Sequence, residues 1–501
     1  MKSLLPLIIA SCLATLVGAG CTVGPDFKKP AAPAVTSYTT APLATTSNST
    51  NIAGGNAQHF IEGLDISGEW WTLFHSRPLN DLIERALTNN PDVQTAQAAL
   101  TVARENTLAG KGAFYPAVSA GFSATRSKTS AAISPVPNSG ALYYSLFTPQ
   151  VSVSYSPDVF GGTHRALESL QAQEEAARFQ LVATHITLSA NIVLAAIQEA
   201  SLRAQIATTR QLMAINSGMV QILHGQYAKG LATRVDIAAQ ESQLAQTAAT
   251  LPPLLKQLAQ QRDLLAALAG EFPGQDLPEQ FELASLQLPQ VLPVSLPSKL
   301  VEQRPDVRLA EENLHAASAQ IGVTTANRLP NLTLTGDIGT MALTAGRIFA
   351  GSEGFWDIGA GVIQPVFQGG TLLHQERAAQ AAYVEAADQY RSTVIMAFQN
   401  VADTLNALQQ DADALKSAAA AAAAARVTVG LARQQIELGS SSHLDLLNAE
   451  QSEQQAMLNL IQAQANRYSD TAALFQALGG GWWHRTDLPK ADELPPKAAG
   501  K

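Results

Sequence analysis

The feature that most constrains this chain is that it states one plan twice. Asn90-Pro91-Asp92-Val93 opens a helical stretch ending at Tyr115-Pro116, and Arg304-Pro305-Asp306-Val307 opens a similar one ending at Leu329-Pro330. Downstream, Phe160-Gly161-Gly162 matches Phe367-Gln368-Gly369-Gly370. Tyr227-Ala228-Lys229-Gly230 with Val235-Asp236-Ile237 and Glu241 then matches Ile436-Glu437-Leu438-Gly439 with Leu444-Asp445-Leu446 and Glu450. The near-constant offset marks a tandem duplication with a few insertions and deletions. Two long copies, rather than many short ones, point to one pseudo-symmetric architecture and not to a solenoid. On this reading residues 76–270 are the first copy, 271–302 a Pro-rich connector, 303–478 the second copy and 479–501 a C-terminal tail.

In each copy two segments alternate strictly. Val118, Ala120, Phe122 and Ala124 alternate with Ser119, Gly121, Ser123 and Thr125, and Phe147, Val151, Val153 and Tyr155 alternate with Thr148, Gln150, Ser152 and Ser154. In the second copy Leu332, Leu334 and Ile338 alternate with Thr333, Thr335 and Asp337, while Trp356, Ile358, Ala360 and Val362 alternate with Asp357, Gly359 and Gly361. A period of two with one apolar side predicts strands at 116–126, 146–157, 330–340 and 355–366. Their length suits a bilayer crossed at a tilt of about 45°. A soluble sandwich is the plain alternative, but polar sides of Ser, Thr and Gly suit a wet lumen. Four strands cannot close a barrel, and an open edge in lipid leaves backbone groups unpaired. Three copies would give 12 strands, enough for an aqueous pore, which favours a homotrimer.

Between the strand pairs lie helices of unusual length. Residues 163–226 contain no Pro, and the second copy is helical in pattern from Thr371 to Leu438, with eight consecutive Ala at 418–425. Return helices are expected from Leu231 to Ala269, broken near Pro252-Pro253, and from Ser442 to Leu478. Ala-rich helices bury little area each and need partners on both flanks, which a cylinder of laterally packed pairs supplies. A purely linear coiled-coil scaffold would not carry the strands. The fold class expected is therefore an α+β membrane channel, its protomer giving four strands to a trimeric β-barrel and long helices to a periplasmic α-helical barrel.

The N-terminus sets the compartment. Met1-Lys2 is a short basic region, Leu4 to Val17 an apolar one, and Gly18-Ala19-Gly20 precede Cys21. This resembles a bacterial lipoprotein signal, with residues 1–20 removed and Cys21 carrying the lipid; Gly18 stands where a large aliphatic is usual, and an ordinary secretory signal cut elsewhere is the alternative. Cys12 leaves with the signal, so no disulfide is expected. Thr22, not Asp, follows the cysteine, which favours export to the outer membrane. Residues 21–75 read as a lipid-anchored extended arm, since the stretch 24–60 is rich in Pro, Ala, Thr, Ser and Asn. Beyond the start, no run of about 18 uninterrupted apolar residues occurs.

Chemistry-bearing motifs are missing. The nine His are scattered, no phosphate loop or nucleophile elbow occurs, and a net charge of −9 argues against nucleic acid. No enzyme, metal site or cofactor is expected. More informative are the helix-turn-helix elements at 226–236 and 435–445, where Gly230 and Gly439 can take positive φ to end one helix. Gly230, Leu231, Gly439 and Ser440 become candidate docking tips for a partner. Asp236 and Asp445 sit in the first turn of the return helices, where a carboxylate favours the helix dipole.

With these features in hand the chain resembles the TolC-like outer-membrane factors of tripartite efflux systems, most nearly the lipidated branch. The likeness is carried by Cys21-Thr22-Val23-Gly24-Pro25-Asp26-Phe27 with Pro30, by Arg304-Pro305-Asp306-Val307 and Leu329-Pro330, and by Gly439 with Leu444-Asp445-Leu446-Leu447-Asn448-Ala449. The resemblance implies a homotrimeric channel-tunnel in the outer membrane and a covalent lipid on Cys21 (N-acyl and S-diacylglycerol). It also implies a periplasmic adaptor at the helix tips and an inner-membrane RND-type pump supplying the energy. It places a periplasmic gate at Asp445 and Asn448; Asn448 often is Asp in relatives, and Gln451 stands where some carry Arg. The expected cargo is drugs or other small molecules. A protein-secretion or metal-ion export duct shares the architecture, and a periplasmic coiled-coil adaptor is the alternative from another class. Six Met in the whole chain give no support to copper or silver as cargo.

Overall fold

A computed structural model describes residues 22–130, 143–275 and 277–488. The signal segment 1–20 and the expected lipid-bearing Cys21 lie outside the described residues, as does the end of the tail from 489.

The duplication reappears as the same order of elements, with the long helices of equal length. In the first copy α1 (Arg77–Asn89) and α2 (Pro91–Lys111) lead into strands β2 (Ala117–Lys128) and β3 (Tyr143–Tyr155), then into α3 (Gly162–Ala228) and α4 (Arg234–Leu268). In the second, α5 (Pro297–Gln303) and α6 (Pro305–Ala326) lead into β5 (Asn331–Thr340) and β6 (Gly354–Ile363), then α7 (Thr371–Glu437) and α8 (His443–Ala477). The long helices α3 and α7 each have 67 residues, and the return helices α4 and α8 each have 35. At about 1.5 Å per residue, a 67-residue helix is about 100 Å long.

Two short strands, β1 (His59–Glu62) and β4 (Val291–Val294), pair in parallel. They tie the N-terminal arm to the connector, although both stretches look unstructured in composition. Helix α4 runs unbroken through Pro252 and Pro253. Both prolines are exposed, so the carbonyls they leave without an amide partner can bond water. Helices α3 and α7 contain 18-residue windows of mean hydropathy 1.6 and 1.2, although neither holds an unbroken apolar run of that length.

The chain forms two compact units, and neither corresponds to one copy. Of the described residues, the first holds those within 1–29, 101–176 and 310–390, and the second those within 30–100, 177–309 and 391–501. Within the second unit the core is aromatic. Trp70 stacks on Phe475 at 5.4 Å between ring centroids, and Phe74 packs against Tyr468. α1 buries Leu79, Leu82, Ile83 and Ala86, the stripe its periodicity predicts. The start of the tail belongs to this core. Gly479, Gly480 and Gly481 all take positive φ, and a Cβ at Gly479 would meet the Gln303 carbonyl oxygen at 2.5 Å. The turn they make delivers Trp482 edge-on to Phe179 and its indole N–H to the Gln303 carbonyl at 2.7 Å.

Candidate functional site

The strands form one antiparallel sheet in the order β2-β3-β5-β6, so the two copies meet at the β3–β5 ladder. The register puts every apolar alternation on one face. Ala120, Val151, Ile338 and Trp356 form one transverse row, and Val118, Val153, Gly336 and Ile358 the next. The opposite face carries the row Ser119, Ser152, Asp337 and Asp357, with the Ser152 hydroxyl bonded to Asp337. A soluble sheet would bury its apolar face. Here Trp356 is 74% and Ile358 81% exposed, and β2 is exposed along nearly its whole length. Among the described residues the outer strands β2 and β6 each have an edge without a partner. A sheet that is apolar outside, polar inside and open at both edges is chemically complete only in lipid, beside further strands.

Both strand-to-helix junctions use glycine. Gly161 takes φ +77°, and Asp158 caps α3, accepting from the Thr163 and His164 amides at 3.0 and 2.8 Å. Within the same unit the first residues of the arm dock on α3 and α6. The Val23 amide donates to the Phe160 carbonyl at 3.0 Å, and buried Arg165 donates to Asp26 at 2.6 Å and to the Val23 carbonyl at 3.2 Å. Phe27 stacks on His315 at 4.3 Å. Gly24 is needed because its Cα side faces the Gly322 backbone, where a Cβ would come within 2.4 Å. The motif from Thr22 to Phe27 is thus a docking sequence, and its receptor Arg165 carries no signal of its own in the sequence.

The two tips are built alike. After α3 the Gly230 amide donates to Tyr227 and the Leu231 amide to Gln226; after α7 the Gly439 amide donates to Ile436 and the Ser440 amide to Gln435. Each pair closes a helix end around a left-handed glycine, at φ +74° and +71°. The return helices start with capping boxes. Thr233 and Asp236 exchange bonds at the start of α4, and Ser442 and Asp445 do so at the start of α8. Asp445 Oδ2 accepts from the Ser442 hydroxyl at 2.7 Å, the Ser442 amide at 3.0 Å and the Ser441 hydroxyl at 2.9 Å. These bonds, led by the Ser442 hydroxyl, hold its carboxyl below the usual range. The Thr233 hydroxyl does the same for Asp236.

Asp445 and Asn448 share an exposed face of α8, one turn apart, while Leu446 and Ala449 on the other face pack against Val429 and Ala432 of α7. Gln451 donates to Gln243 of α4 at 2.6 Å. Leu231, Leu438 and Leu444 at the tips are 72%, 76% and 61% exposed. Among the described residues no cluster of three or more metal-ligating side chains occurs.

The sequence profile of the family described as outer membrane efflux protein matches residues 82–271 and again 296–480. The toluene efflux pump outer membrane protein TtgC of Pseudomonas putida is 28% identical over 490 residues, covering 97% of each chain. The solved outer-membrane channel OprN superposes with a TM-score of 0.82 at 25% identity, over 92% of this chain and all of that one. The outer membrane protein VceC from Vibrio cholerae gives a TM-score of 0.78 at 28% identity, over 83% of this chain and all of its own. With one profile match on each copy, covering most of the chain between them, this chain belongs to the outer membrane efflux protein family and is an outer-membrane channel component of an efflux system.

Proposed function

We propose that three copies close a 12-stranded barrel and form a passive duct, through which an inner-membrane pump of the RND type expels small organic molecules by way of a periplasmic adaptor. The observation that carries this reading is the four-stranded sheet with two unpartnered edges and an exposed apolar face. Three such sheets joined edge to edge leave no backbone edge in lipid. The polar row of Ser119, Ser152, Asp337 and Asp357 then lines an aqueous lumen. TtgC is a toluene efflux protein by name, which supports an apolar or amphipathic organic cargo.

In this reading Cys21 carries an N-acyl chain and an S-diacylglycerol, and the docked motif from Val23 to Phe27 fixes where that anchor leaves the protein. The adaptor grips the tips around Gly230, Leu231, Gly439 and Ser440, where exposed leucines offer apolar contact on a rigidly capped turn. Asp445 and Asn448 form the closing ring at the periplasmic end. The energy comes from the pump, so the chain needs no active site and no cofactor beyond its lipid.

The test is native mass followed by planar-bilayer conductance of the purified full-length protein. A trimer giving discrete conductance steps supports the duct. A monomer without conductance overturns it and favours a periplasmic coiled-coil role.

A further inference from the structure

The end of the four-stranded sheet that joins the helices carries apolar side chains on the wrong face. Ile363 closes β6 on the side of Asp357, the polar face, yet is 71% exposed. Tyr115 stands ahead of Ala117 in extended backbone, at φ −111° and ψ 152°. Alternation gives it the side of Ser119, again the polar face, and it is 73% exposed. Phe367, just past the end of β6, is 87% exposed. A girdle against lipid would use the other face and would run under all four strands. Here β3 leaves the sheet as Ser156-Pro157-Asp158, with Val159 beyond it less exposed than any of these three, and Leu329 ahead of β5 is half-buried. Tyr115, Ile363 and Phe367 thus belong to β2 and β6, the strands whose outer edges lack a partner among the described residues.

The ladders also step in one direction. The row through Ala117, where β2 begins, crosses Ser154, Thr335 and Gly359, and β6 runs on past that row to Ile363. Closing a barrel requires such a stagger to continue around the ring. Carried across an edge-to-edge joint, it brings the start of the next copy's β2 level with the end of β6. We propose, given the three-copy barrel on which this rests, that Tyr115 of one copy packs against Ile363 and Phe367 of the next as an apolar clasp at the base of each seam. Tyr115 and Ile363 lie on the same side of their strands, so antiparallel pairing lets them meet across the joint. The clasp removes three apolar side chains per seam from the water that the polar face meets. It fastens the sheet where the strands give way to the helices.

The experiment is cysteine crosslinking of the full-length protein in isolated outer membranes, read on non-reducing gels, with native mass in mild detergent measured first. Tyr115→Cys is combined with Ile363→Cys in one variant and with Phe367→Cys in another, because a disulfide requires Cα atoms within about 7 Å and one of the two positions lies opposite. The unmodified chain and the three single substitutions are the controls. On oxidation at least one pair is expected to convert the monomer band into covalent dimer and trimer, and the controls are expected to give neither. Phe367→Ser is expected to speed heat dissociation of the trimer by about tenfold, the effect of returning one large apolar side chain to water. A native trimer in which neither pair links overturns the clasp and leaves the barrel standing, whereas a native monomer overturns both. If the cysteine pairs fail to assemble, unchanged dissociation of Phe367→Ser overturns the clasp. A fluorophore on Phe367→Cys that brominated phospholipid quenches as strongly as one on Ile358→Cys assigns this margin to lipid and overturns it too.

Discussion

At the scale of single residues, one side chain has two candidate duties. Asp445 closes the capping box of α8, as Asp236 does for α4, and each is held ionised by its neighbours. The proposed gate asks for its charge, whereas the cap asks only for an acceptor. Asn keeps the acceptor and drops the charge; Ala drops both. If a counter-ion held between the three carboxylates closes the channel end, Asp445→Asn and Asp445→Ala both change single-channel conductance and uptake of large antibiotics. A change with Ala alone reduces the residue to its cap. Ser442→Ala, which removes the cap but leaves the charge, is expected to cost about 1 kcal/mol of local stability, read as faster amide exchange at the start of α8. Arg467 is the opposite case, a residue whose duty the sequence hides. It looks like one more charge on an Ala-rich helix, yet it is fully buried and holds three groups of the arm. Arg467→Met strips the Asn56 and Ser47 carbonyls of this donor, leaving the Thr46 hydroxyl with only the Gln58 amide, at a cost of about 3 kcal/mol, and residues 44–58 should then become open to proteinase K in the folded protein. Partners more than four hundred positions away leave no local pattern to find.

At the scale of elements, legibility follows periodicity. The strands could be read because alternation by two survives a change of residue type, and the observed register keeps all of the alternating apolar residues on one face. The helix tips could be read because left-handed glycine followed by an N-cap residue and an acid is a local code. The β1–β4 pair could not, since each is four residues long and neither alternates; what makes them strands is the other's unpaired edge. The tail was equally opaque, because Gly479 to Gly481 resemble a flexible linker until the turn is seen to pack Trp482 edge-on to Phe179. The two sheet faces carry a direct prediction. Ile358→Lys, on the apolar face, should cost about 2–4 kcal/mol near the bilayer midplane and lower the amount of assembled protein in the outer membrane. Asp357→Lys, one residue along, points the other way and should leave assembly intact while shifting ion selectivity towards anions in bilayer recordings. Equal loss of assembly from both substitutions would remove the distinction between a lipid face and a lumen face.

At the scale of the whole molecule, the duplication is a plan of sequence and not of folding units. Each compact unit draws segments from both copies, and the four-stranded sheet crosses the boundary between copies at β3–β5. A single copy is left with a two-stranded hairpin, which is marginal by itself. Among the described residues the stretch from Glu271 to Gln290 carries only one short helical turn, and it is fastened on both sides of position 276, by Arg85 to Glu271 and by Arg262 to the Leu277 carbonyl. Cutting the chain at Asp276 and supplying each half with its own signal should therefore separate two ideas. If the copies were independent domains, either half alone would reach the outer membrane in a protease-resistant form. If they are interleaved, neither half accumulates alone, and both together reconstitute a full-size assembly. Losing the covalent link makes the second association intermolecular. It forfeits an effective concentration on the order of millimolar, so yield should fall and should depend on the expression of both halves. The readout is outer-membrane fractionation with heat-dependent gel migration, alongside antibiotic or solvent tolerance in a host deleted for its own channel. Co-expressed halves should restore part of the tolerance given by the intact chain and single halves none, because the sheet cannot close around a lumen until β3 of one copy has found β5 of the other.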